Sequence, residues 1–323
     1  MKTSHSTSIS ALSNEIVQTI ENKEGNENLI PTGFKYLDHT YGSLSLGELV
    51  VIGGRPAMGK TQLVVNLVAN LCDREPVLYF SFDLTPSTLT SRLLSRKTGI
   101  PVEKIIANQL VDADIKLIKL AAKELENSKL FVSDIGVANI NQTVEIIKEH
   151  VSNENVKVVV IDYLQLLGIG KYNSGREAEI GHICRVLKIC ARELNICIIL
   201  LSQLNRAVES RGGSKKPQLS DLRDSGSIEQ IADKVWLLYR PEYYLIDELD
   251  DEDHSSSALI IMLIIAKNKN GKTGVSYFKR NDTFTEFTSI NSPREYFEFD
   301  VSRLFDLKNP NLSDLESDND VPF

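Results

Sequence analysis

Apolar side chains recur at helical spacing near the start of the chain, between Ile9 and Glu21. The positions are Ile9, Leu12, Ile16, Val17 and Ile20. This pattern predicts a short amphipathic helix, and the polar run from Glu21 to Asn28 after it predicts a linker. A helix this isolated needs another surface to bury its apolar stripe.

From Ile30 onward the pattern alternates between short aliphatic runs and segments with helical periodicity. The predicted strands are Leu49–Gly53, Val77–Phe82, Lys129–Ser133, Val156–Asp162, Ile196–Ser202, Lys234–Tyr239 and Leu259–Lys267. Continuous aliphatic runs are typical of parallel strands covered on both faces. We therefore expect an α/β fold with a mostly parallel central sheet flanked by helices.

Capping signals mark where two of the helices begin. Thr85-Pro86 offers an N-cap with proline at the first helical position, and Ser174-x-x-Glu177 matches a capping box. The second helix is expected to turn four apolar residues inward, namely Ile180, Ile183, Leu187 and Leu194.

Composition and net charge limit the class of protein without indicating a specific reaction. The chain has 323 residues, of which 42% are hydrophobic and 25% charged, enough for one large globular domain with tails. No apolar run is long enough to span a membrane and Met1–Ser10 is polar, so we expect a soluble cytoplasmic protein. The net charge of −8 argues against a general polyanion binder, so any nucleic acid needs a local basic lining.

The four cysteines form no C-x-x-C pair. They are Cys72, Cys184, Cys190 and Cys197, and three of them lie in segments with apolar periodicity. We interpret them as core residues rather than metal ligands.

One stretch carries a specific chemical signal, Gly54-Arg55-Pro56-Ala57-Met58-Gly59-Lys60-Thr61, which has the spacing of a phosphate-binding loop. It lies between a predicted strand and the predicted helix Gln62–Leu71, so backbone N–H groups and the positive end of the helix can face phosphate oxygens. The loop predicts a nucleoside triphosphate site to which all eight of its residues contribute, in which Lys60 reaches the β- and γ-phosphates and Thr61 holds Mg²⁺.

Three other predicted strands end in polar side chains. Asp162 ends one and is expected to serve the metal, although an acid there can also be a turn former. Asp83 follows another and is the candidate for polarising the attacking water, or else a solvated charge at a helix start. Gln203 follows a third and suits sensing of a γ-phosphate, the alternative being a polar loop residue.

Together these residues carry a resemblance to a known family. The motifs are Pro31-Thr32-Gly33-Phe34-Lys35-Tyr36-Leu37-Asp38, the loop Gly54–Thr61, Ile161-Asp162-Tyr163-Leu164-Gln165-Leu166, Leu201-Ser202-Gln203-Leu204-Asn205-Arg206 and Leu219–Gln230. They resemble, in order, motifs of the motor domain of DnaB-type replicative helicases, over roughly residues 29 to 290.

The resemblance implies a RecA-like P-loop ATPase core that assembles as a hexameric ring around single-stranded DNA, with ATP between neighbouring subunits. It implies that Ile9–Glu21 is the linker helix that docks on the adjacent subunit. It also implies that the family's separate N-terminal helical domain is missing, since only residues 1–28 precede the core.

The resemblance also assigns DNA contacts. Arg223, Asp224 and Gly226 match positions that approach DNA phosphates, which suits an arginine and a glycine-bearing turn that grip the backbone without reading bases. The segment Asn205–Pro217 adds positive charge from Arg206, Arg211, Lys215 and Lys216. For these four, a solvated loop and DNA contact are equally good interpretations.

Two positions depart from the family. Asp83 stands where the family usually has a catalytic glutamate, and its carboxylate is one methylene shorter. Ile265–Gly271 resembles the hairpin that supplies a lysine and an arginine finger to the neighbouring site, here Lys267 and Lys269. Lysine keeps the charge but loses the planar fork, so we expect an active but slower site; an ordinary charged hairpin is the alternative.

The expected organisation is an N-terminal helix and linker (1–28), an ATPase and helicase domain (29–300) and an acidic, disordered tail (301–323). The tail ends in Asp320-Val321-Pro322-Phe323, which resembles the partner-binding tip of bacterial single-stranded DNA-binding proteins; a solubilising tail is the alternative. The leading hypothesis is an ATP-dependent DNA helicase active in DNA replication. The alternatives are a slow-hydrolysing, nucleotide-switched DNA-binding or helicase accessory protein, and a RecA-like ATPase that orders DNA without unwinding it.

Overall fold

A computed structural model describes residues 8–22, 27–134, 139–169, 175–222, 225–251 and 254–293. Along these residues the helices are α1 Ile9–Glu21, α2 Lys35–Tyr41, α3 Lys60–Leu71, α4 Pro86–Thr98, α5 Val102–Ile106, α6 Asp112–Leu125, α7 Ile140–Glu154, α8 Arg176–Glu193, α9 Ala207–Ser210 and α10 Ser225–Ile231. The strands are β1 Leu29–Ile30, β2 Leu44–Ser45, β3 Leu49–Gly54, β4 Val77–Ser81, β5 Leu130–Ser133, β6 Val158–Asp162, β7 Cys197–Gln203, β8 Lys234–Tyr239, β9 Ile260–Asn268, β10 Gly274–Arg280 and β11 Phe287–Ile290.

Nine of the strands that the structure describes form one sheet in the order β11-β10-β9-β8-β3-β7-β6-β4-β5. Neighbours from β8 to β5 pair in parallel, whereas β8, β9, β10 and β11 pair antiparallel. The parallel register sets Gly54 opposite Gln203 and Ser81 opposite Asp162. The carboxyl ends of β3, β7, β6 and β4 therefore meet at one edge.

The core lies on both faces of this sheet. In β3, Val50 and Ile52 pack on the face covered by α3, while Leu49 and Val51 pack on the face covered by α8. Because side chains of a strand alternate between faces, burial of both faces requires every position to be apolar. This explains the continuous aliphatic runs.

The expected α/β architecture with a mostly parallel sheet is confirmed. Each predicted strand is present with its bounds shifted by at most two residues. The first helix is present from Ile9 to Glu21, and Ser8 caps it by accepting a hydrogen bond from the backbone N–H of Ala11. All four cysteines are buried and free, in agreement with a core role.

Four strands were not anticipated, the two-residue strands β1 and β2 and, in the main sheet, β10 and β11. Only alternate positions of the seven-residue β10 (Ser276 and Phe278) are fully buried, and its remaining residues include Lys279 and Arg280. Such a half-exposed strand carries no aliphatic run. Its place in the sheet comes from antiparallel pairing with β9 and β11.

Of the two helix starts predicted from capping signals, one is confirmed and one is wrong. Thr85 caps α4, since its hydroxyl accepts a hydrogen bond from the backbone N–H of Thr88 at 3.2 Å. The capping box at Ser174 is wrong, because α8 begins at Arg176 with Gly175 as its N-cap. Gly175 has φ +83°, a left-handed conformation that favours glycine. Ser174 itself lies outside the described residues.

Candidate active site

The predicted phosphate-binding loop connects β3 to α3. Ala57 and Gly59 take left-handed backbone angles, with φ values of 64° and 94°. A Cβ atom at Gly59 would lie 2.9 Å from Cζ of Phe284, so glycine is required there both by conformation and by space. Since Gly59, the N-cap of α3, has no side chain to cap the helix, the first N–H groups of α3 are available to an anion.

The loop borders a cavity of about 450 Å³ at the carboxyl edge of the sheet. Lys60 and Thr61 line it, together with Asp83, Asp162 and Gln203. The structure thus brings together the predicted phosphate ligands, both acids and the glutamine. Their individual roles stay predictions.

Lys60 lines this cavity and contacts the backbone of the loop. Its Nζ donates a hydrogen bond to the carbonyl oxygen of Arg55 at 3.1 Å. Burial lowers the pKa of Lys60 from the usual 10.5 to about 8, while the negative charges of Asp162 and Asp83 oppose this shift and Arg55 adds to it. Lys60 is therefore still mostly protonated at neutral pH, and phosphate oxygens in the cavity would stabilise its charge further.

Asp162 is held by two hydroxyl groups. Oδ2 accepts hydrogen bonds from the Tyr79 hydroxyl at 2.8 Å and from Thr61 Oγ1 at 3.1 Å. Burial raises the pKa of Asp162, and these two hydrogen bonds oppose the rise. The hydroxyl of Thr61 and the carboxylate of Asp162 form a set of hard oxygen donors that fits Mg²⁺.

Sequence reasoning missed Tyr79, which is fully buried in the middle of β4 and looks like an ordinary core residue. A tyrosine among the apolar residues Val77, Leu78 and Phe80 was the available signal, because a buried hydroxyl usually has a hydrogen-bond partner.

Gln203 is held in place by a second glutamine. The side-chain amide of Gln165 donates to Ser202 Oγ at 3.1 Å and to the Gln203 carbonyl at 3.3 Å, and its oxygen accepts from the Gln203 backbone N–H at 3.2 Å. Gln165 therefore fixes the backbone of Gln203 at the end of β7. Gln203 lines both the first cavity and a second one of about 410 Å³.

Arg92 is another cavity residue that the sequence did not reveal. It lies on α4, nine positions after Asp83, and its Nη1 donates to Gln62 Oε1 at 3.3 Å. Its guanidinium adds a second positive group to the wall that carries Lys60. A cation on the helix that follows the strand-end acid was the signal available.

Two side chains of the phosphate-binding loop point away from the cavity. Met58 is buried in the core, at 1% exposure. The guanidinium of Arg55 donates to the Leu204 carbonyl and to Glu209, each at 2.9 Å. These two residues belong to the loop through their backbone, so the sequence prediction that every residue of the motif binds the cofactor holds at most for their main chains.

Phe284 lines the cavity from outside the recognised motifs, and a network of charged residues lies behind it. Arg240 Nη1 donates to the Ala57 carbonyl at 3.0 Å, and its guanidinium lies 4.5 Å from the ring centre of Phe284. Glu242 binds both Arg240 and Arg280, with nearest distances of 2.7 and 2.9 Å. This network supports the loop from the β8 side.

Lys267 and Lys269 lie far from the cavity in their own chain. The backbone N–H of Lys269 donates to the carbonyl oxygen of Asp233. The backbone N–H of Asp233 donates in turn to the carbonyl oxygen of Leu49, at the start of β3. Gly54 lies five residues along β3, or roughly 17 Å in an extended strand. The side chain of Lys269 reaches Asp233 Oδ1 at 2.9 Å, and Lys267 donates to the carbonyl oxygens of Glu229 and Gln230.

The four basic residues of the segment Asn205–Pro217 differ in what their side chains contact. Arg206 lines the second cavity with Gln203 and Asn205. Arg211, by contrast, binds the buried carboxylate of Asp221 at 2.5 Å, which indicates a structural role. Lys216 lies 3.4 Å from Asp250 in an exposed pair, and Lys215 lies over the ring of Tyr244.

Gly226 requires a correction. It lies in the first turn of α10 rather than in a glycine-bearing turn, because the helix already begins at Ser225. Arg223 and Asp224, just before it, lie outside the described residues.

Residues 30–289 of this chain match the protein family described as the DnaB-like helicase C-terminal domain. The chain belongs to this family.

Similar proteins agree with this assignment. The chain is 34% identical to the replicative DNA helicase DnaB of Geobacillus stearothermophilus over 280 residues, which covers 85% of this chain and 59% of that relative. It is 37% identical to the replicative DNA helicase DnaB of Helicobacter pylori strain 26695 over 290 residues, covering 81% and 59%. The chain thus spans 59% of the length of these relatives.

Solved structures show the same fold. A solved ATPase domain superposes with a TM-score of 0.80 at 32% identity, covering 88% of this chain and 100% of that one. A DnaB-like replicative helicase, from a structure that describes its interactions with primase, superposes with a TM-score of 0.77 at 32% identity, covering 90% and 69%. The RecA-like core expected from sequence is confirmed. None of the helices within the described ranges has the length and apolar character that a membrane crossing requires.

The contact between Tyr79 and Asp162 generates a prediction for Tyr79→Phe. Loss of the hydroxyl removes a donor that holds the carboxylate, and groups of this kind are worth 10- to 100-fold in metal affinity. We expect binding of a fluorescent ATP analogue with Mg²⁺ to weaken by about tenfold, and binding without Mg²⁺ to stay unchanged. Because the hydrogen bond lowers the pKa of Asp162, its loss raises that pKa, so Mg²⁺-dependent binding should fail at a higher pH on acidification.

The matched control is Tyr41→Phe, which removes a hydroxyl bonded to the Val275 carbonyl away from the cavity. Equal Mg²⁺-dependent affinity in Tyr79→Phe and Tyr41→Phe would contradict a supporting role for Tyr79.

Proposed function

We propose that this chain is an ATP-driven helicase motor that translocates on single-stranded DNA as a hexameric ring and unwinds duplex DNA during replication. One observation carries the proposal: Gln203 lines both the cavity of the phosphate-binding loop and the cavity that contains Arg206. A single side chain thereby connects a nucleotide site with a candidate DNA site. The names of the relatives, replicative DNA helicases, support the same function.

ATP is the proposed nucleotide, with its triphosphate against the N-terminus of α3. Lys60 binds the β- and γ-phosphates, Thr61 and Asp162 hold Mg²⁺, and Asp83 orients the attacking water. Bound Mg²⁺ would neutralise charge that develops on the phosphates. Gln203 reports whether the γ-phosphate is present, and Gln165 keeps its backbone fixed while it does so.

Two features of the chain support the proposed assembly into a ring. The apolar stripe of α1 is uncovered, with Ile9, Ile16 and Ile20 exposed by 79%, 60% and 69%. An uncovered apolar surface of this kind marks an interaction site. Lys267 and Lys269 lie at the edge of the sheet opposite to their own cavity, so they serve a cavity only if another subunit presents it.

The same chain offers a surface for α1 of a neighbour. Ile106, Val111, Leu117 and Leu120, on and between α5 and α6, are exposed by 58%, 65%, 48% and 62%. Lysines flank this patch at positions 116, 119 and 123, whereas α1 carries acidic but no basic residues. We therefore place α1 of one subunit on the α5–α6 surface of the next.

A slow nucleotide switch is the second candidate, and Asp83 and Lys269 favour it. The Asp83 side chain is one methylene shorter than that of glutamate, and a displacement of about 1 Å in the groups that position the attacking water can cost on the order of a hundredfold in rate. Lys269 offers a point charge where an arginine would offer a planar fork. A protein with such a site binds DNA according to its nucleotide without travelling along it.

The proposed partners are single-stranded DNA, further copies of this chain and replication proteins that bind the acidic Pro-Phe tail. The last of these rests on sequence alone, because residues 294–323 lie outside the described residues.

Lys60→Ala tests the nucleotide site. Removal of the cation from the phosphates is expected to lower ATP turnover by about a hundredfold or more, measured with and without single-stranded DNA. Lys35→Ala, on α2 and outside the cavity, should turn over ATP like the unmodified chain. Persistent turnover in Lys60→Ala would mean that the site has been misplaced.

The unmodified chain distinguishes the two candidate functions. ATP turnover that single-stranded DNA stimulates, together with strand displacement on a forked substrate, selects the motor. ATP binding without stimulation or displacement selects the switch.

Ile16→Asp tests the ring. The substitution puts a charge in the exposed stripe of α1, so the fold should be retained while assembly with an ATP analogue and single-stranded DNA weakens by at least about tenfold. Mass photometry or sedimentation velocity measures the assembly. Gln18→Glu adds a charge on the opposite face of α1 and should assemble normally. Normal rings from Ile16→Asp would rule out α1 as an assembly element.

Arg223→Ala tests the DNA contact inferred from the family motif. We expect weaker binding to single-stranded DNA of any sequence, and a plot of log affinity against log salt concentration that is shallower by about one unit. Arg74→Ala, in an exposed turn before β4, is the control. If Arg223→Ala keeps the same affinity across the salt series, Arg223 does not contact phosphate.

A further inference from the structure

Arg55 lies within the phosphate-binding loop, yet its side chain serves a different segment. Its Nη1 donates to the carbonyl oxygen of Leu204 at 2.9 Å, and its Nε donates to Glu209 Oε1 at 2.9 Å. The Arg55 side chain is only 8% exposed, and that of Glu209 is 41% exposed. A guanidinium presents its donors in a rigid plane, so one side chain fixes both acceptors relative to the loop.

Both acceptors belong to the chain that follows Gln203. Leu204 is the next residue, and its backbone N–H donates to the Gly54 carbonyl at 3.3 Å. Glu209 lies on α9, one turn beyond Arg206. The phosphate-binding loop is therefore attached to this segment at Leu204 by backbone and side chain, and at α9 by a charged hydrogen bond.

The attachment continues toward the motif that precedes α10. Leu204 forms an antiparallel bridge with Leu222, and Asn205 donates from its backbone to the Asp221 carbonyl at 2.8 Å. Leu222 is followed directly by Arg223 and Asp224, the residues that the family motif assigns to DNA. A shift of the loop on loss of the γ-phosphate would thus pull on the backbone next to those residues.

Electrostatics supports a specific pairing of Arg55 with Glu209. The pKa of Glu209 lies below its usual value, chiefly because of the hydrogen bond from Arg55. The same guanidinium lines the second cavity beside Arg206 and Gln203. Binding of a DNA phosphate in that cavity would bring a negative charge next to Arg55 and compete with Glu209 for it.

We propose that Arg55 and Glu209 form a clasp that couples the nucleotide held by the phosphate-binding loop to the affinity of the neighbouring segment for single-stranded DNA. The Arg55–Glu209 clasp consists of positioning residues and touches neither the reacting phosphate nor the attacking water. It rests on the proposed function. It acts in parallel with Gln203, which senses the γ-phosphate directly.

Glu209→Gln is the decisive variant, because it keeps the shape of the side chain and removes its charge. The affinity of the full chain for a fluorescent single-stranded oligonucleotide is measured with a non-hydrolysable ATP analogue and with ADP, and the ratio of the two affinities is the coupling. Couplings of this kind are commonly 5- to 150-fold. In Glu209→Gln we expect the ratio to fall by about fivefold or more toward one, with DNA-free ATP turnover and ATP-analogue affinity within about twofold of the unmodified chain.

Glu145→Gln is the matched control, since Glu145 forms an exposed ion pair with Lys148 on α7, outside the clasp. Arg55→Lys is a second variant: the ammonium keeps the charge but cannot hold both acceptors, so the ratio should fall in it too. Thermal melts establish that each variant is folded.

An unchanged ratio in Glu209→Gln overturns the clasp. So does a loss of DNA affinity that is equal with both nucleotides, because Glu209 would then only shape the DNA surface. These outcomes leave the proposed function standing. An unmodified chain whose DNA affinity ignores the nucleotide would instead overturn the proposed function and the clasp with it.

Discussion

The register of the parallel ladder is the constraint on which the rest of this structure depends. Because Gly54 lies opposite Gln203 and Ser81 opposite Asp162, the ends of four strands deliver their polar residues to one edge. A slip of one residue in β6 would turn the Asp162 side chain to the other face and bury a neighbour's apolar group in the cavity. The aliphatic residues that cover both faces of the sheet prevent such slips, so the packing of the core also sets the geometry of the site.

The two edges of the sheet carry different chemistry, and the strands hold them at a fixed separation. At the carboxyl edge are the phosphate-binding loop, Asp162 and Gln203. At the other edge Asp233 accepts hydrogen bonds from the backbone of Leu49 and from the ammonium groups of Lys188 and Lys269. Burial alone would raise the pKa of Asp233, but these donors bring it below its usual value. The hairpin lysine is thereby tied to the start of β3, the same strand that ends in the loop.

Several side-chain hydrogen bonds connect motifs that are separate in the sequence. Tyr79 holds Asp162, Gln165 holds the backbone of Gln203, and Arg55 holds Leu204. Each is a side chain from one strand or loop that fixes the end of another. In the proposed motor, such contacts allow a change at the phosphates to move the DNA-binding segment as a unit rather than as a loose loop.

Local sequence patterns determined the core strands and the position of the candidate site. The aliphatic runs predicted the core strands, Thr85-Pro86 predicted the start of α4, and the glycine and lysine spacing of residues 54–61 predicted the phosphate-binding loop, because each depends on neighbours along the chain. Tertiary structure alone decided the antiparallel strands β10 and β11 and the partners of Tyr79, Gln165 and Arg55. Those depend on which residues meet across the sheet, often more than thirty positions apart, and a buried side chain looks the same in the sequence whether or not a carboxylate lies beside it.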